Sequence, residues 1–418
     1  MIIKPVKKLT GKITVPGDKS ISHRAVMLGA VARGTTRIKN LLDCDDCNYT
    51  IGAFKAMGVN IYKTDGETVV EGRGLSGLVQ PGGPINVGES GTSMRLLAGI
   101  VAGQKIRVTL TGSGQLLKRP MKRITEPLSL MGVDITSSEG GLPPIEVTGG
   151  EVDPIIYSLP VASAQVKSAV LFAGLYANGV TVVEERLRSR DHTERMMEAF
   201  GASIRMSGSK VSLTGPADLS ARGIEVPGDI SSAAFLVAGA VLLKGSKIRI
   251  ENVGVNPTRS GAIDVLQRMG AKVEIRGMSG SFEPFADIVA EGSDTRGVII
   301  EESEIPGLID ELPVIFAVAA LSKGRTVIKK AGELRVKETD RISSMQANLS
   351  AMGADIRTDG EDVVIEGVES LKGAKLKSFG DHRTCMASAI AALAADSPSE
   401  IDDIECVNKS FPGFFNFI

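Results

Sequence analysis

The sequence predicts an α/β protein of two domains, assembled from six β-α-β-α-β-β units with three units in each domain. Two recurring features support this fold class: apolar helices that return about every 70 residues, and amphipathic helices between them that end at glycine. Units of that length are too long for a short solenoid repeat and are of supersecondary size. The 418 residues are enough for two or more domains.

The six apolar helices are each followed by a turn and a β-like run. They start near Ala25, Met94, Ser168, Ala233, Leu312 and Cys385. Because these segments are apolar on every face, we expect them to be buried on all sides. The chain has no tryptophan and only 4% aromatic residues, so the core must be built from small and aliphatic side chains.

The amphipathic helices end at a glycine that leads into a strand. These glycines are Gly58, Gly132, Gly201, Gly270 and Gly353. Glycine is the usual stop signal at a helix C-terminus because it accepts a positive φ. With one mixed face, these helices should lie nearer to solvent than the apolar ones.

Composition excludes several classes of function. The net charge is −1, whereas a general nucleic-acid or membrane-surface binder would be basic. The N-terminal residues have no apolar signal-peptide core, and the longest apolar stretch, "SSAAFLVAGAVLL", is too short to span a bilayer. Four cysteines do not make a disulfide framework, and "CDDC" (Cys44 to Cys47) lacks a second metal-binding half, so we interpret it as a polar turn with two reduced thiols.

The residues before the apolar helices indicate an anion site. The segments are "GDKSISHR", "GESGTSMR", "ASAQVK", "GDISS", "IDE" and "GDHRT", and five of the six carry a residue suited to an N-cap. We interpret "GDKSISHR" as a polar turn in front of its helix. Helix N-termini attract anions through unpaired N–H groups and a partial positive charge.

Cations lie in these segments and in three further polar segments, "LKRPMKR", "LRVKETDR" and "VNKSFPGFF". They are Lys19, Arg24, Arg95, Arg119, Lys167, Arg335, Lys337, Arg341, Arg383 and Lys409. Any one of them could be a solvated surface charge, but Lys19, Arg119, Lys337, Arg341 and Arg383 together favour a cleft for small, multiply charged anions. Arginine suits carboxylates and phosphates because its fork is bidentate. No phosphate-binding loop of the kinase type, G-x-x-x-x-G-K-[ST], is present.

Nine motifs in order resemble the 5-enolpyruvylshikimate-3-phosphate synthase family. They are "GDKSISHR", "SGTSMR", "KRPM", "ASAQVKSA", "SRDHTERM", "PGDISSAAF", "IDELPV", "LRVKETDR" and "GDHR". The resemblance implies a two-domain inside-out α/β barrel with buried parallel helices. It implies one domain of residues 17–227, a second of 1–16 plus 228–418, and an active site in the cleft between them.

The implied reaction moves the enolpyruvyl group of phosphoenolpyruvate to the 5-hydroxyl of shikimate 3-phosphate and releases phosphate. The family needs no cofactor and no metal, so the expected partners are the two substrates, without nucleic acid or membrane. We expect a cytoplasmic monomer. Two alternatives stay open: the related transferase that acts on UDP-N-acetylglucosamine, and a non-catalytic anion-binding scaffold of the same fold.

The resemblance also implies roles for individual residues. Shikimate 3-phosphate would be bound by Lys19, Ser20, Arg24, Ser163, Ala164, Gln165, Ser189, Asp310 and Lys337. Phosphoenolpyruvate would be bound by Lys19, Gly91, Arg119, Gln165, Arg341, Arg383 and Lys409. The catalytic residues would be Asp310, as the acceptor of the hydroxyl proton, with Glu338 and Lys19 for the other proton transfers.

Some positions depart from the commoner family pattern. Glu89 stands where many members have Asn, Ala164 where some have Ser, and Glu333 where some have Asn. We expect the carboxylate of Glu89 to point away from the anion cleft or to pair with a nearby cation.

Overall fold

The computed structural model describes residues 1–418, and the chain divides into two compact units. The N-terminal unit is Gly17–Val226. The C-terminal unit joins Met1–Pro16 to Pro227–Ile418. Each unit is described below by itself.

Helices of two kinds alternate along both units. Those of the N-terminal unit are α1 (Lys19–Val31), α2 (Asp45–Ala56), α3 (Gly91–Ala102), α4 (Lys122–Leu130), α5 (Ala164–Gly174) and α6 (His192–Ala199). Those of the C-terminal unit are α7 (Ile230–Leu242), α8 (Gly261–Arg268), α9 (Leu312–Ala320), α10 (Arg341–Ala351) and α11 (His382–Leu393). The odd-numbered helices are the six predicted apolar ones.

Burial confirms the difference between the two kinds of helix. Every residue of α9, and every residue of α7 except Leu242, is buried, whereas α8 buries only one face. Helices α3 and α5 pack together in the N-terminal unit, and α7, α9 and α11 pack pairwise in the C-terminal unit. None of the helices combines the length and the apolar character needed to cross a membrane.

The strands are short and are numbered along the chain. They are β1 (Ile2–Ile3), β2 (Thr10–Thr14), β3 (Arg33–Lys39), β4 (Asn60–Thr64), β5 (Glu67–Arg73), β6 (Ile85–Asn86), β7 (Arg107–Thr111), β8 (Asp134–Ser138), β9 (Leu142–Thr148), β10 (Ile156–Ser158), β11 (Gly179–Glu184), β12 (Ser203–Ser207), β13 (Lys210–Gly215), β14 (Ile224–Glu225), β15 (Lys247–Gly254), β16 (Lys272–Ser279), β17 (Phe285–Glu291), β18 (Ile299–Ile300), β19 (Arg325–Ile328), β20 (Asp355–Asp359), β21 (Asp362–Glu366), β22 (Lys375–Leu376) and β23 (Ser399–Ile401).

Five of the six sheets repeat one four-stranded topology. Their orders are β14-β3-β5-β4, β6-β7-β9-β8 and β10-β11-β13-β12 in the N-terminal unit, and β16-β17-β15-β2 and β18-β19-β21-β20 in the C-terminal unit. In each, the strand after the apolar helix pairs parallel with a strand that precedes such a helix and antiparallel with its other neighbour. The sixth sheet has three strands, in the order β1-β23-β22. The structure thus has the six predicted units, five of them with both helices and four strands, and the sixth with the apolar helix α11 and a three-stranded sheet.

Two strands next to the unit boundaries each complete a sheet of their own unit. Strand β2, from the N-terminal segment, pairs parallel with β15, with Lys12 opposite Arg249. Strand β14, at the end of the N-terminal unit, pairs parallel with β3. Each therefore supplies the parallel partner of a strand that follows an apolar helix in its own unit.

Side-chain caps set the first residues of five apolar helices. The capping residues are Asp18, Ser90, Ser163, Asp229 and Asp381, each accepting a backbone N–H of the first turn. The interpretation of "GDKSISHR" as a turn is wrong, because the Asp18 carboxylate accepts the Ile21 N–H at 2.9 Å and the helix begins at Lys19. Lys19, Ser20 and Arg24 therefore lie in the first two turns of α1.

Candidate active site

The C-terminal unit contains a buried arginine that is bound by three carboxylates. Arg341, which begins α10, is 1% exposed. Its Nε donates to Asp381 at 2.9 Å, Nη1 to Asp310 at 3.0 Å and Nη2 to Glu338 at 2.5 Å. Burial alone would lower the pKa of Arg341, but the three carboxylates outweigh burial and raise it. The guanidinium therefore stays charged and holds the two carboxylates predicted to transfer protons, Asp310 and Glu338, around one cation.

Asp310 is also in contact with Arg383, which is predicted to bind phosphoenolpyruvate. Arg383 Nη2 lies 3.4 Å from Asp310 Oδ2, and its Nη1 donates to the Asp310 carbonyl at 3.1 Å. The N-cap residue of α9 is Glu311, without a side-chain capping bond, so Asp310 lies one residue before the start of this helix and is not its N-cap. The carboxylate of Asp310 instead faces arginines.

A further buried ion pair lies next to Asp310, and the sequence motifs do not connect its two residues. Arg259 and Glu311 are 2% and 0% exposed, and Nη2 lies 3.5 Å from the carboxylate. Ser231 donates its hydroxyl to Glu311 and accepts from Arg259 Nη2 at 2.7 Å. Arg383 Nη1 is 3.7 Å from Glu311 as well. Arg259 lies in "VNPTRSGA", which has no motif, and its partner is 52 positions away along the chain.

Two predicted lysines lie in the same unit. Desolvation lowers the pKa of Lys337 to about 8, although Asp310 raises it. This places Lys337 within electrostatic reach of Asp310, Arg341 and Glu338. Lys409 ends the short 3-10 helix Glu405–Lys409, which packs against α11, the helix that carries Arg383. The C-terminal unit thus brings Asp310, Lys337, Glu338, Arg341 and Arg383 together.

In the N-terminal unit, Lys19 forms an ion pair with an aspartate that is not among the predicted site residues. Lys19 Nζ lies 3.0 Å from Asp46 Oδ2, with side chains 17% and 14% exposed. Asp46 lies in the first turn of α2, between Cys44 and Cys47 of the "CDDC" segment. All four cysteines are free and buried, and Cys44 is the N-cap residue of α2. The acidic residues in the first turn of this helix, Asp45 and Asp46, are the sequence feature that could have indicated a partner for Lys19.

A second group of cations, Arg95 and Arg119, lies at the N-termini of α3 and α5. A Cβ on Gly91 would come within 2.5 Å of Arg95 Nη1 and 3.0 Å of Arg119 Nη1, so glycine lets both guanidinium groups approach. Arg95 Nη1 donates to Gln165 Oε1 at 2.8 Å, and Gln165 Nε2 donates to Thr92 Oγ1 at 2.9 Å. Gly91, Arg119 and Gln165, all assigned to phosphoenolpyruvate by resemblance, are therefore neighbours.

Glu89 has a structural partner beside this group. Its Oε1 accepts the Gln115 backbone N–H at 3.1 Å. Gln115 belongs to the 3-10 helix Gly114–Lys118, which runs directly into Arg119. The acidic residue at this unusual position thus holds the segment that carries Arg119.

Four of the residues assigned to shikimate 3-phosphate lie around the start of α5. Ser163 caps the helix, Ala164 and Gln165 form its first turn, and Ser189 is 4% exposed. Ser189 donates its hydroxyl to Glu185, which also pairs with Lys167 at 2.7 Å. Lys167, one of the cations near the helix entrances, is 1% exposed and is held by two glutamates as a structural cation.

Arg24, on α1, lies next to the same helix. Its Nη1 donates to the Ser20 carbonyl at 2.9 Å, and Nη2 donates to Ser168 Oγ at 2.9 Å. Ser168 in turn donates to the Ala164 carbonyl at 2.6 Å. The N-terminal unit therefore links Ser20, Arg24 and Ala164 in one hydrogen-bond network.

Each unit thus presents helix N-termini and arginines or lysines that are already paired with protein acceptors. A buried cation without a partner would cost several kcal/mol, so such pairing is expected of cations in a binding site. Anionic substrates could bind here by replacing carboxylates as partners of the cations. Preorganised cations of this kind stabilise charge that develops on phosphate and carboxylate groups.

Three comparisons with known proteins agree. The family model described as EPSP synthase (3-phosphoshikimate 1-carboxyvinyltransferase) matches residues 3–418. A 3-phosphoshikimate 1-carboxyvinyltransferase of Bacillus thuringiensis subsp. konkukian is 49% identical over 416 residues, 99% of this chain and 97% of the relative. One from Geotalea uraniireducens is 49% identical over 417 residues, 99% and 96% of the two chains.

Solved structures extend the similarity to the fold. The structure of an EPSP synthase from Acinetobacter baumannii has a TM-score of 0.89 and 45% sequence identity. The match covers 100% of this chain and 96% of that chain. Because the family model and the relatives cover nearly every residue, the chain belongs to the EPSP synthase family.

Proposed function

We propose that this protein transfers the enolpyruvyl group of phosphoenolpyruvate to the 5-hydroxyl of shikimate 3-phosphate and releases phosphate. Membership of the EPSP synthase family supports this reaction directly. The single structural observation that supports it is Arg341, which holds the proposed base Asp310 and the proposed proton donor Glu338 at hydrogen-bond distance. The protein is a transferase of the shikimate pathway of aromatic amino-acid biosynthesis.

In the proposed mechanism, Asp310 accepts the proton of the attacking hydroxyl. Two arginines lie against its carboxylate, so the base is oriented before substrate arrives. Glu338 is the candidate that donates a proton to the methylene carbon, and Lys19 is the candidate for the leaving oxygen. The hydroxyl oxygen bonds to C2 of phosphoenolpyruvate while Glu338 protonates the methylene carbon, which gives a saturated adduct. Phosphate then departs, protonated by Lys19, as the Glu338 carboxylate takes a proton back from the methyl carbon and the enolpyruvyl double bond re-forms.

The substrates each carry a phosphate and a carboxylate, so four anionic groups have to be held close together. We propose that Lys19, Ser20, Arg24, Ser163, Ala164, Gln165, Ser189, Asp310 and Lys337 bind shikimate 3-phosphate. We propose that Lys19, Gly91, Arg119, Gln165, Arg341, Arg383 and Lys409 bind phosphoenolpyruvate. Fixed cations offset the repulsion between the anions, and this preorganisation lowers the barrier.

A phosphate-release assay tests the proposal. Purified protein should release phosphate with phosphoenolpyruvate plus shikimate 3-phosphate, and not with either substrate alone or with UDP-N-acetylglucosamine as the acceptor. Excess EDTA should leave the rate unchanged. Release with UDP-N-acetylglucosamine would identify the related transferase, and no release with either acceptor would favour a binding scaffold. Light scattering after size exclusion tests the further proposal of a monomer, and cell fractionation tests the proposed cytoplasmic location.

A further inference from the structure

Two neighbouring helices of the N-terminal unit are cross-linked by two adjacent pairs of buried polar residues. Ser168 on α5 and Thr193 on α6 have their hydroxyl oxygens 2.6 Å apart. The residues beside them, Lys167 and Glu194, form an ion pair at 2.7 Å. All four residues are only 1% exposed. The pairs fix the register of α6 against the start of α5.

The ion pair is part of a larger buried cluster. Lys167 Nζ also lies 2.7 Å from Glu185 and donates to the Ser189 carbonyl at 3.4 Å. Burial raises the pKa of Glu194, although Lys167 opposes the shift. Buried ion pairs contribute little net stability, because desolvation cancels most of the attraction. The positions of Lys167 and Glu194 are therefore better explained by the neighbouring groups that they orient than by a gain in stability.

The hydroxyl pair contacts Arg24, the residue of α1 that we propose as a ligand of shikimate 3-phosphate. Arg24 Nε donates to Thr193 Oγ1 at 2.6 Å and Nη2 donates to Ser168 Oγ at 2.9 Å. Because a guanidinium only donates, both hydroxyl oxygens act as acceptors toward it.

This constraint gives the hydroxyl protons a direction. Ser168 donates its proton to the Ala164 carbonyl at 2.6 Å, so in the pair Thr193 is the donor to Ser168. The order of donation is then Arg24 to Thr193, Thr193 to Ser168, and Ser168 to Ala164. Such a chain has one consistent arrangement of protons, and it holds the guanidinium in one orientation.

We infer that Thr193 and Ser168 are positioning residues for shikimate 3-phosphate, which act by orienting the Arg24 guanidinium. The inference rests on the proposed function and on the assignment of Arg24 to that substrate. Thr193 lies in "SRDHTERM", 169 positions from Arg24, and its hydroxyl supplies the acceptor for Nε. The ion pair of Lys167 and Glu194 keeps this acceptor in place.

The test uses isosteric removal of the hydroxyl. In Thr193→Val a methyl group replaces the acceptor of Arg24 Nε, and calorimetric titration should show shikimate 3-phosphate binding roughly 10- to 100-fold more weakly. The KM for phosphoenolpyruvate at saturating shikimate 3-phosphate should change less than about threefold. Thr193→Ser restores a hydroxyl and should recover most of the affinity. Ser168→Ala should weaken the same ligand in the same direction.

A matched control is available in the same unit. Thr181, on β11, is 0% exposed and its hydroxyl has no hydrogen-bond partner, so Thr181→Val makes the same chemical change away from Arg24. It should leave the affinity for shikimate 3-phosphate unchanged. If Thr193→Val fails to fold, as judged by its melting curve, Ser168→Ala and Thr193→Ser carry the comparison.

The outcomes separate the inference from the proposed function. Wild-type affinity in both Thr193→Val and Ser168→Ala would overturn the positioning role, and so would equal losses of affinity for the two substrates. A loss in Thr181→Val as large as in Thr193→Val would mean that the effect is general destabilisation. If the wild-type protein itself neither binds shikimate 3-phosphate nor releases phosphate, the proposed function fails, and this inference fails with it.

Discussion

Replacing Asp310 by asparagine should abolish most of the turnover while leaving the fold and phosphoenolpyruvate binding intact. The amide keeps the size of the side chain and one oxygen for Arg341 Nη1, which lies 3.0 Å from the carboxylate, but it cannot accept a proton. Positioned proton transfer contributes roughly 10²- to 10⁴-fold to a rate, which corresponds to about 3–5 kcal/mol of barrier. We expect kcat to fall by that factor.

The effect on stability should be much smaller, for a reason visible in the structure. Arg341 keeps Asp381 at 2.9 Å and Glu338 at 2.5 Å, so the buried guanidinium remains compensated. Glu311 is the N-cap residue of α9, so no cap is lost. Weakening one charged hydrogen bond costs about 1–3 kcal/mol at most, and each kcal/mol lowers the melting temperature by about 2–4 °C in a domain of this size.

The substitution also changes how the two arginines can bind an anion. In the proposed site Asp310 would compete with phosphoenolpyruvate for Arg341 and Arg383, which both contact its carboxylate, so Asp310→Asn should leave the KM for phosphoenolpyruvate unchanged or lower. Steady-state and single-turnover kinetics with both substrates measure kcat and the KM for phosphoenolpyruvate, and a melting curve measures the stability. The control is Asp362→Asn, which removes a carboxylate paired with Lys329 at 2.7 Å on the same unit and should turn over normally. A kcat within about threefold of wild type in Asp310→Asn would refute its role as the base, since proton transfer is worth far more, and would make Glu338 the next residue to test.

Two further predictions concern the remaining charged residues. Because desolvation lowers the pKa of Lys337 to about 8, its ammonium is charged below that pH and neutral above it, and kcat/KM for shikimate 3-phosphate should fall up to tenfold per pH unit above about pH 8. In Lys337→Arg this alkaline limb should disappear from the measured range, whereas an unchanged limb in the Arg variant would assign the titration to another group. Arg383→Ala should weaken the binding of phosphoenolpyruvate far more than that of shikimate 3-phosphate. Arg24→Ala should weaken the binding of shikimate 3-phosphate far more than that of phosphoenolpyruvate. In calorimetric titrations each variant should lose roughly 2–5 kcal/mol of binding free energy for the ligand it affects more. Equal losses of both ligands in both variants would contradict this division of the cations.

The sequence by itself determined the repeated architecture, because the signals for it are local. Apolar helices such as α7 and glycine stops such as Gly58 depend on neighbours within one or two turns, and they occur where predicted. The cap of α11 follows from "GDHR", since the Asp381 side chain accepts N–H groups only two and three residues away. The motifs were also sufficient to identify the family.

Only the tertiary structure decided which charges face each other. Arg341 and Asp381 are 40 positions apart, and Arg24 and Thr193 are 169 apart, so no spacing rule connects them. In the sequence Lys167 follows a helix entrance, as several predicted anion ligands do, whereas burial beside two glutamates makes it a structural cation. Local pattern determines secondary structure and solvent preference. The partners of a buried charge depend on which helices pack together, because a desolvated cation is stable only beside the carboxylates that the fold brings to it.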